Sequence, residues 1–294
     1  MATNRIDDSM HIFTGHTDEV YAVVCSPADA TLVATGGGDD KGYLWRIGQE
    51  DLSFELQGHK DSVSSVSFST DGQLLASGSL DGVVKVWDTA NGNLKRTLHG
   101  PSEGIEWVRW HPNRHLVLAG ARDSSMWMWN ADDEDVAYLN VFIGHCRSVI
   151  CGDFTPDGES ICSVSEDSTM KIWNPITAEI IHNFYVSEIT CFTISSDSAL
   201  VLTGSPNGFL CIVYIPTGEW PVTCLLWLAG TRYIATGSVD GKVRIWDSLS
   251  GDCTKVLRGH SKTIKSIASS SNGEFLVSVS IDGTARVFEI AEFR

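Results

Sequence analysis

Seven times along this chain an apolar run, a run of small residues, a turn and an alternating segment follow one another. The block closes at Trp45, Trp87, Trp129, Trp173, Val213, Trp246 and Phe288, at intervals of 42, 42, 44, 40, 33 and 42 residues. LLASGSLDGVVKVWD (Leu74 to Asp88) aligns with YIATGSVDGKVRIWD (Tyr233 to Asp247). ICSVSEDSTMKIWN (Ile161 to Asn174) and LVSVSIDGTARVFE (Leu276 to Glu289) follow the same pattern. Alternation with a period of two, broken by Asp-Gly turns, is a strand signal. A fixed period of this size means stacked units that bury one another's apolar faces.

A period of about 40 to 45 residues with four strands per unit marks a WD-repeat β-propeller. The expected fold is all-β: a propeller of seven repeats, with residues 1–9 as a short tail and residues 10–294 as a single domain. HIFTGH (His11 to His16) matches KVLRGH (Lys255 to His260). The N-terminal strand is therefore expected to complete the last blade, which closes the ring and removes an open sheet edge.

Polar residues recur at fixed offsets from the closing aromatic. Gly-His pairs place His16, His59, His145 and His260 at 28 or 29 positions before it. Asp39, Asp81, Asp123, Asp167, Asp240 and Asp282 lie six before it, and Thr35, Ser77, Ser163, Thr203, Thr236 and Ser278 ten before it. With Trp45, Trp87, Trp173 and Trp246 these positions resemble the Asp-His-Ser/Thr-Trp network of WD repeats. Such a network satisfies polar groups buried between strands, which are costly when unpaired. One offset per unit reads as scaffold, not as metal or acid–base chemistry.

The interval of 33 marks a defect. From Trp87 to the next Gly-His-equivalent position, Pro101, is 14 residues; from Val213 to the matching Gly218 it is five. The next inner strand, VTCLLWL, is intact and in register. The fifth blade is expected to lack its outer strand.

Composition narrows the function classes. Hydrophobic residues make up 43% of the 294, far from a disordered composition. No apolar run reaches the ~18 to 20 residues that cross a bilayer, and MATNRIDDSMHIF holds no secretory apolar region, so a soluble intracellular chain is expected. Eight cysteines form no CxxC pair, and structural thiols are expected rather than zinc ligands. Acidic residues number 37 against 21 basic, a net charge of -16. Phosphate backbones call for clustered Lys and Arg, and none cluster, so no direct nucleic-acid binding is expected. No phosphate loop, nucleophile elbow or HExxH occurs. An enzyme is not expected, nor a cofactor or metal.

GGGDDKGYLWR (Gly36 to Arg46), GHKDSV (Gly58 to Val63), EWVRWHP (Glu106 to Pro112) and MWMW (Met126 to Trp129) go beyond a generic repeat. With SVDGKVRIWDSLSGDC (Ser238 to Cys253) and DGTARVFE (Asp282 to Glu289) they resemble the angio-associated migratory cell protein family. That family includes the fungal WD-repeat chaperone of a basic large-subunit ribosomal protein. The resemblance implies a chaperone or adaptor in large-subunit assembly, in the cytoplasm and also the nucleus; a monomer is expected. Family members resemble eight-repeat chains with an acidic N-terminal extension. Loss of about one repeat plus one strand between Glu219 and Trp220, in a variant transcript or a mis-joined gene, explains both the count and the short join.

In WD-repeat proteins the positions flanking the first Val or Ile of each inner strand, and the residue before the turn Asp, line the usual binding face. Carried onto this sequence they include Glu19, Tyr21, Leu80, Glu106, Arg122, Ile150, Glu166, Glu188, Lys265 and Ile281. An acidic rim with apolar and aromatic anchors suits a Lys/Arg-rich protein segment. Asp132-Asp133-Glu134-Asp135 is expected in a loop on the opposite face, and Trp107, Trp110, Trp127 and Trp129 in the core. The alternative is a signalling or ubiquitin-ligase adaptor. Ala90 and Leu249 count against it, since they stand where such adaptors carry Arg after Trp-Asp.

Overall fold

A computed structural model describes residues 12–49, 54–132, 138–186, 191–196, 198, 200–204, 210–215, 222–228, 231–250, 252–270 and 273–293. They form two compact units, residues 1–183 and 184–294, taken separately below.

Each repeat becomes one antiparallel sheet whose strands pair in chain order. The first sheet holds Val20–Cys25, Leu32–Gly37, Gly42–Arg46 and Phe54–Leu56. The second holds Val63–Phe68, Leu74–Ser79, Val84–Asp88 and Leu94–Leu98. The third holds Ile105–Trp110, Leu116–Ala121, Ser125–Asn130 and Asn140–Ile143, and the fourth Val149–Phe154, Ile161–Ser165, Thr169–Trp173 and Ile180–Tyr185. The second unit carries the fifth sheet (Cys191–Ile194, Leu200–Gly204, Leu210–Tyr214) and the sixth (Val222–Trp227, Tyr233–Ser238, Val243–Asp247, Cys253–Leu257). The seventh is Ile264–Ser269, Phe275–Ser280 and Ala285–Glu289.

The turns explain why the strands break where they do. Asp40, Gly82, Ser124, Ser168, Gly241 and Gly283 all have φ between 61° and 80°. Each follows a turn aspartate, and the left-handed conformation there is one that glycine adopts without strain.

Cores form between neighbouring sheets. Leu74, Ala76, Val84, Val86 and Leu98 of the second sheet pack on Ile105, Val108, Val117 and Trp129 of the third. Phe142 and Met126 of the third sheet pack on Val149, Ile161 and Trp173 of the fourth. Trp107, Trp110 and Trp129 are buried as expected, and Trp127 is partly so. Trp107 occupies a place held by Ser65 or Cys151 in the neighbouring repeats. A Cβ at Gly120 or Gly152 would lie 2.3 or 2.2 Å from its indole, so both glycines are needed to seat it.

The fifth sheet has three strands among the described residues, as the short join implies. Residues 215–221 alone separate Leu210–Tyr214 from Val222–Trp227, whereas residues 89–104 separate Val84–Asp88 from Ile105–Trp110 and contain a strand. The seventh sheet also has three described strands. The N-terminal strand expected to join it falls partly at His11, outside the described residues. Ile12–His16 are in no strand, and Phe13 instead packs on Trp45 of the first sheet, ring centroids 4.1 Å apart.

Candidate partner-binding edge

Among the described residues, one end of the innermost strand is irregular in the same way in every sheet but the fifth. Val20 pairs with Gly37 and Ala22 with Gly36, which leaves Tyr21 as an extra residue. The same shift isolates Ser64, Glu106, Ile150, Thr223 and Lys265. Such a bulge bends the strand and re-aims a side chain. A second recurrence meets it. The N–H of the residue before the turn Asp donates to the carbonyl just ahead of the inner strand. These bonds are Gly38 to Glu19 at 2.8 Å, Leu80 to Ser62 at 3.0 Å, Arg122 to Gly104 at 2.9 Å, Glu166 to Ser148 at 3.0 Å and Ile281 to Thr263 at 3.1 Å. The two sets of sequence positions therefore share one edge of the first four sheets and of the seventh.

On that edge Glu19, Tyr21, Arg122, Glu166, Lys265 and Ile281 are exposed, while Leu80, Glu106 and Ile150 are half-buried. Glu188 lies outside the described residues. The Arg122 Nε–H donates to Glu106 at 2.5 Å, and Arg147 pairs with Glu166 at 3.1 Å. Glu106, then Asp61 and Glu103, raise the Arg122 pKa against the opposing effect of burial. Asp61, Glu103, Arg147 and Asp18 were missing from the sequence-derived set. They lie in the turns just before the inner strands, each one position ahead of the residue that flanks the strand.

The polar network ties this edge down. His16 lies 2.9 Å from Asp39 and 2.8 Å from Thr35, which also accepts the Trp45 indole N–H at 2.7 Å. His59 meets Asp81 at 3.2 Å and Ser77 at 2.8 Å, and Trp87 donates to Ser77 at 2.8 Å. His145 meets Asp167 at 3.0 Å and Ser163 at 2.8 Å, and Trp173 donates to Ser163 at 2.7 Å. His260 meets Asp282 at 3.0 Å and Ser278 at 2.8 Å, with Phe288 in place of the indole. The same aspartates accept backbone N–H groups of Thr17, Lys60, Cys146 and Ser261, at 2.8 to 3.0 Å. Each thus clamps the turn before an inner strand to the turn that follows the next.

Burial pulls His59 and His145 below the usual histidine value, against the opposing pull of Asp81 and Asp167. Burial pushes Asp167 up, yet hydrogen bonds from Thr169, Cys146 and His145 outweigh it and hold its carboxyl at about 2. Both favour neutral histidine beside ionised aspartate.

The third and sixth sheets build the network differently. In the third, Pro101 and Ala119 replace His and Ser/Thr; Asp123 holds the Ser102 N–H at 2.8 Å, and Trp129 donates to the His99 carbonyl at 3.2 Å. In the sixth, Trp246 donates to Thr236 at 2.8 Å, but Arg244 grips Asp240 at 2.9 Å and Ser238 at 2.8 Å. Burial raises the Asp240 carboxyl, and Arg244, Ser238 and Lys242 together pull it well below the usual range.

Cavities of about 800 and about 560 Å³ lie at the opposite edge of the second to fourth sheets, both lined by Asn113, Arg114, Leu116 and Leu139. His115 there bridges Asp71 and Asp132, each at 3.0 Å. Asp132 opens the acidic run; Asp133, Glu134 and Asp135 lie outside the described residues. Among the described residues no group of three His, Cys, Asp or Glu could hold a metal ion, and no helix is long and apolar enough to cross a membrane.

The pattern described as WD domain, G-beta repeat matches residues 7–46, 50–88, 92–130, 137–174, 211–247 and 251–289. The match at 211–247 begins inside Leu210–Tyr214, the strand that pairs with Leu200–Gly204 in the fifth sheet, and runs through the sixth sheet to Asp247. The chain is 31% identical to angio-associated migratory cell protein of Canis lupus familiaris over 352 aligned positions, which cover 96% of this chain and 80% of that one. It is 39% identical to an uncharacterized WD repeat-containing protein of Schizosaccharomyces pombe, over 97% of this chain and 77% of that one. It is also 30% identical, over 54% of its length, to 33% of a U3 small nucleolar RNA-associated protein 15 homolog of Xenopus tropicalis. The 352 positions of the first alignment exceed the 294 residues here, so that relative carries residues with no counterpart in this chain.

Proposed function

This chain belongs to the WD-repeat family of angio-associated migratory cell protein, and we propose from that premise that it is a non-enzymatic scaffold whose bulged edge holds a Lys/Arg-rich segment of a protein partner. WD domains typically mediate protein–protein contacts, and the family fold is that of a scaffold. The partner we propose is a basic ribosomal protein on its way to the large subunit, the chain serving as its cytoplasmic chaperone or adaptor and acting as a monomer, also in the nucleus. The relative named for U3 small nucleolar RNA lends modest support to a setting in ribosome assembly.

The observation that carries the reading is the charge of the edge in the first unit. Asp18, Glu19, Asp61, Glu103, Glu106 and Glu166 gather where the inner strands begin, against Lys60, Arg122 and Arg147. In a chain of net charge -16, this edge attracts a basic segment at long range, and the attraction weakens as salt screens it. Covering the segment keeps its charges from wrong contacts with RNA until delivery.

Calorimetric titration of a synthetic Lys/Arg-rich peptide into the full chain at low and high salt tests this. Salt-sensitive binding is expected. Glu19→Lys, Glu106→Lys and Glu166→Lys should each weaken it roughly three- to tenfold and flatten its salt dependence. Unchanged affinity in all three sinks the reading.

A further inference from the structure

We propose that one corner of this edge, the Tyr21 ring with the Asp18 and Glu19 carboxylates over Gly38, is the anchor that receives a single cationic side chain of the partner. The inference rests on the reading of this edge as the partner surface and selects one place on it.

The acidic positions of the first unit are not equally available. Glu106 already holds Arg122 at 2.5 Å, and Glu166 holds Arg147 at 3.1 Å. Those two carboxylates carry resident guanidiniums in the place a partner's cation would take. Asp39 is bound to His16 at 2.9 Å. Among the described residues no basic side chain lies within ion-pair distance of Asp18, Glu19, Asp61 or Glu103, and the first two adjoin the Tyr21 ring. The polar contact that Asp18 makes is with the N–H of Glu19, at 2.8 Å.

The bulge adds an aromatic face at the same corner. In the other sheets the extra residue is Ser64, Glu106, Ile150, Thr223 or Lys265; in the first it is Tyr21, which is 53% exposed. Gly38 leaves the corner uncrowded. A Cβ there would lie 3.2 Å from the Asp18 carboxylate and 3.3 Å from Tyr21 Cε2, so carboxylate and ring both lie against the bare backbone of one turn. The Gly38 N–H bonds the Glu19 carbonyl at 2.8 Å and fixes that turn against the strand. Glu19, with burial and Asp18 adding to it, raises the Tyr21 phenol, as expected of a ring in a negative field. A cation over such a ring gains from the ring face and from the flanking carboxylates together, and exposed tyrosines are favoured as binding hot spots.

Titration of the full chain with a hexaarginine peptide tests the corner. Tyr21→Leu removes the π face at similar bulk and should weaken binding roughly three- to tenfold. Tyr21→Phe keeps the face and should stay within about twofold. Glu19→Gln should cost more than Glu106→Gln, because Arg122 already neutralises Glu106. Glu179→Gln, the same charge change on the far side of the fourth sheet, should leave affinity unchanged; circular dichroism of each variant confirms folding. Wild-type binding that ignores Tyr21→Leu and Glu19→Gln, or that falls equally in Tyr21→Leu and Tyr21→Phe, overturns the corner while the acidic edge stands. No binding by the wild type overturns both.

Discussion

At the residue scale, the hydroxyls of Ser77 and Ser163 are the points on which the polar network turns. Ser163 is fully buried. It accepts from the Trp173 indole, and its own O–H is free to donate to a neutral His145, whose other ring nitrogen faces Asp167. The relay runs in one direction only while His145 is neutral, and burial favours that form. Ser163→Ala strands the buried indole N–H and a ring nitrogen, and should cost about 2 to 4 kcal/mol in denaturant unfolding. The pH dependence has a definite sign. Folding lowers His145 below its ordinary 6.5, so its contribution is lost as pH falls below that value. Folding also lowers Asp167 from 3.8 to about 2, a contribution present above 3.8 and lost as pH falls toward 2. Stability should decline on acidification below pH 6.5 and more steeply below 4.

At the scale of elements, each sheet solves the same problem with what its sequence supplies. The second and fourth sheets bring a histidine from the preceding Gly-His turn. The sixth has none in that place and uses a guanidinium from its own third strand. Arg244 is 4% exposed and meets both Asp240 and Ser238. Breaking one half of a buried ion pair leaves the other uncompensated, at a cost of about 3 to 5 kcal/mol. Lys242, 2.9 Å from Asp240, offsets part of this, so Arg244→Leu should destabilise by about 3 kcal/mol in chemical denaturation, and Asp240→Asn added to it should restore part of the loss. The glycine spacing behind Trp107 is a second local solution: a bulky indole enters between sheets because Gly120 and Gly152 leave room, and it finds the Val149 carbonyl at 2.8 Å. Neither device follows from the repeat pattern, since each depends on a residue of another strand standing opposite.

At the scale of the molecule, the sheets differ in how much holds them. The fifth has three described strands, and its closing position is Val213 where the other sheets place an aromatic ring. Fewer strand pairs and no indole-to-hydroxyl bond predict a low local opening free energy. Amides of Leu200–Gly204 and Leu210–Tyr214 should exchange roughly an order of magnitude faster than those of Leu74–Ser79 and Val84–Asp88 in native-state hydrogen exchange. Equal protection would mean that the short join costs the sheet nothing.

Strand identity, strand order within each sheet, the polar network and the shortened fifth sheet were all legible in the amino-acid sequence. The reason is periodicity: a contact made inside every unit repeats its residue types at one offset, and Asp39, Asp81, Asp167 and Asp282 announce their histidines in that way. The edge positions follow as a set only from the resemblance to WD-repeat proteins, carried over at one offset in each unit. What the sequence could not assign is which of those acids are already spent. Arg122 on Glu106 and Arg147 on Glu166 are pairings between turns whose approach is set by the bulges and by strand twist. No offset encodes them, because the arginines recur in no other repeat. Tyr21, Asp18 and Glu19 stand apart only once the fold has brought Gly38 beneath the ring and the Asp18 carboxylate and left Glu106 and Glu166 paired.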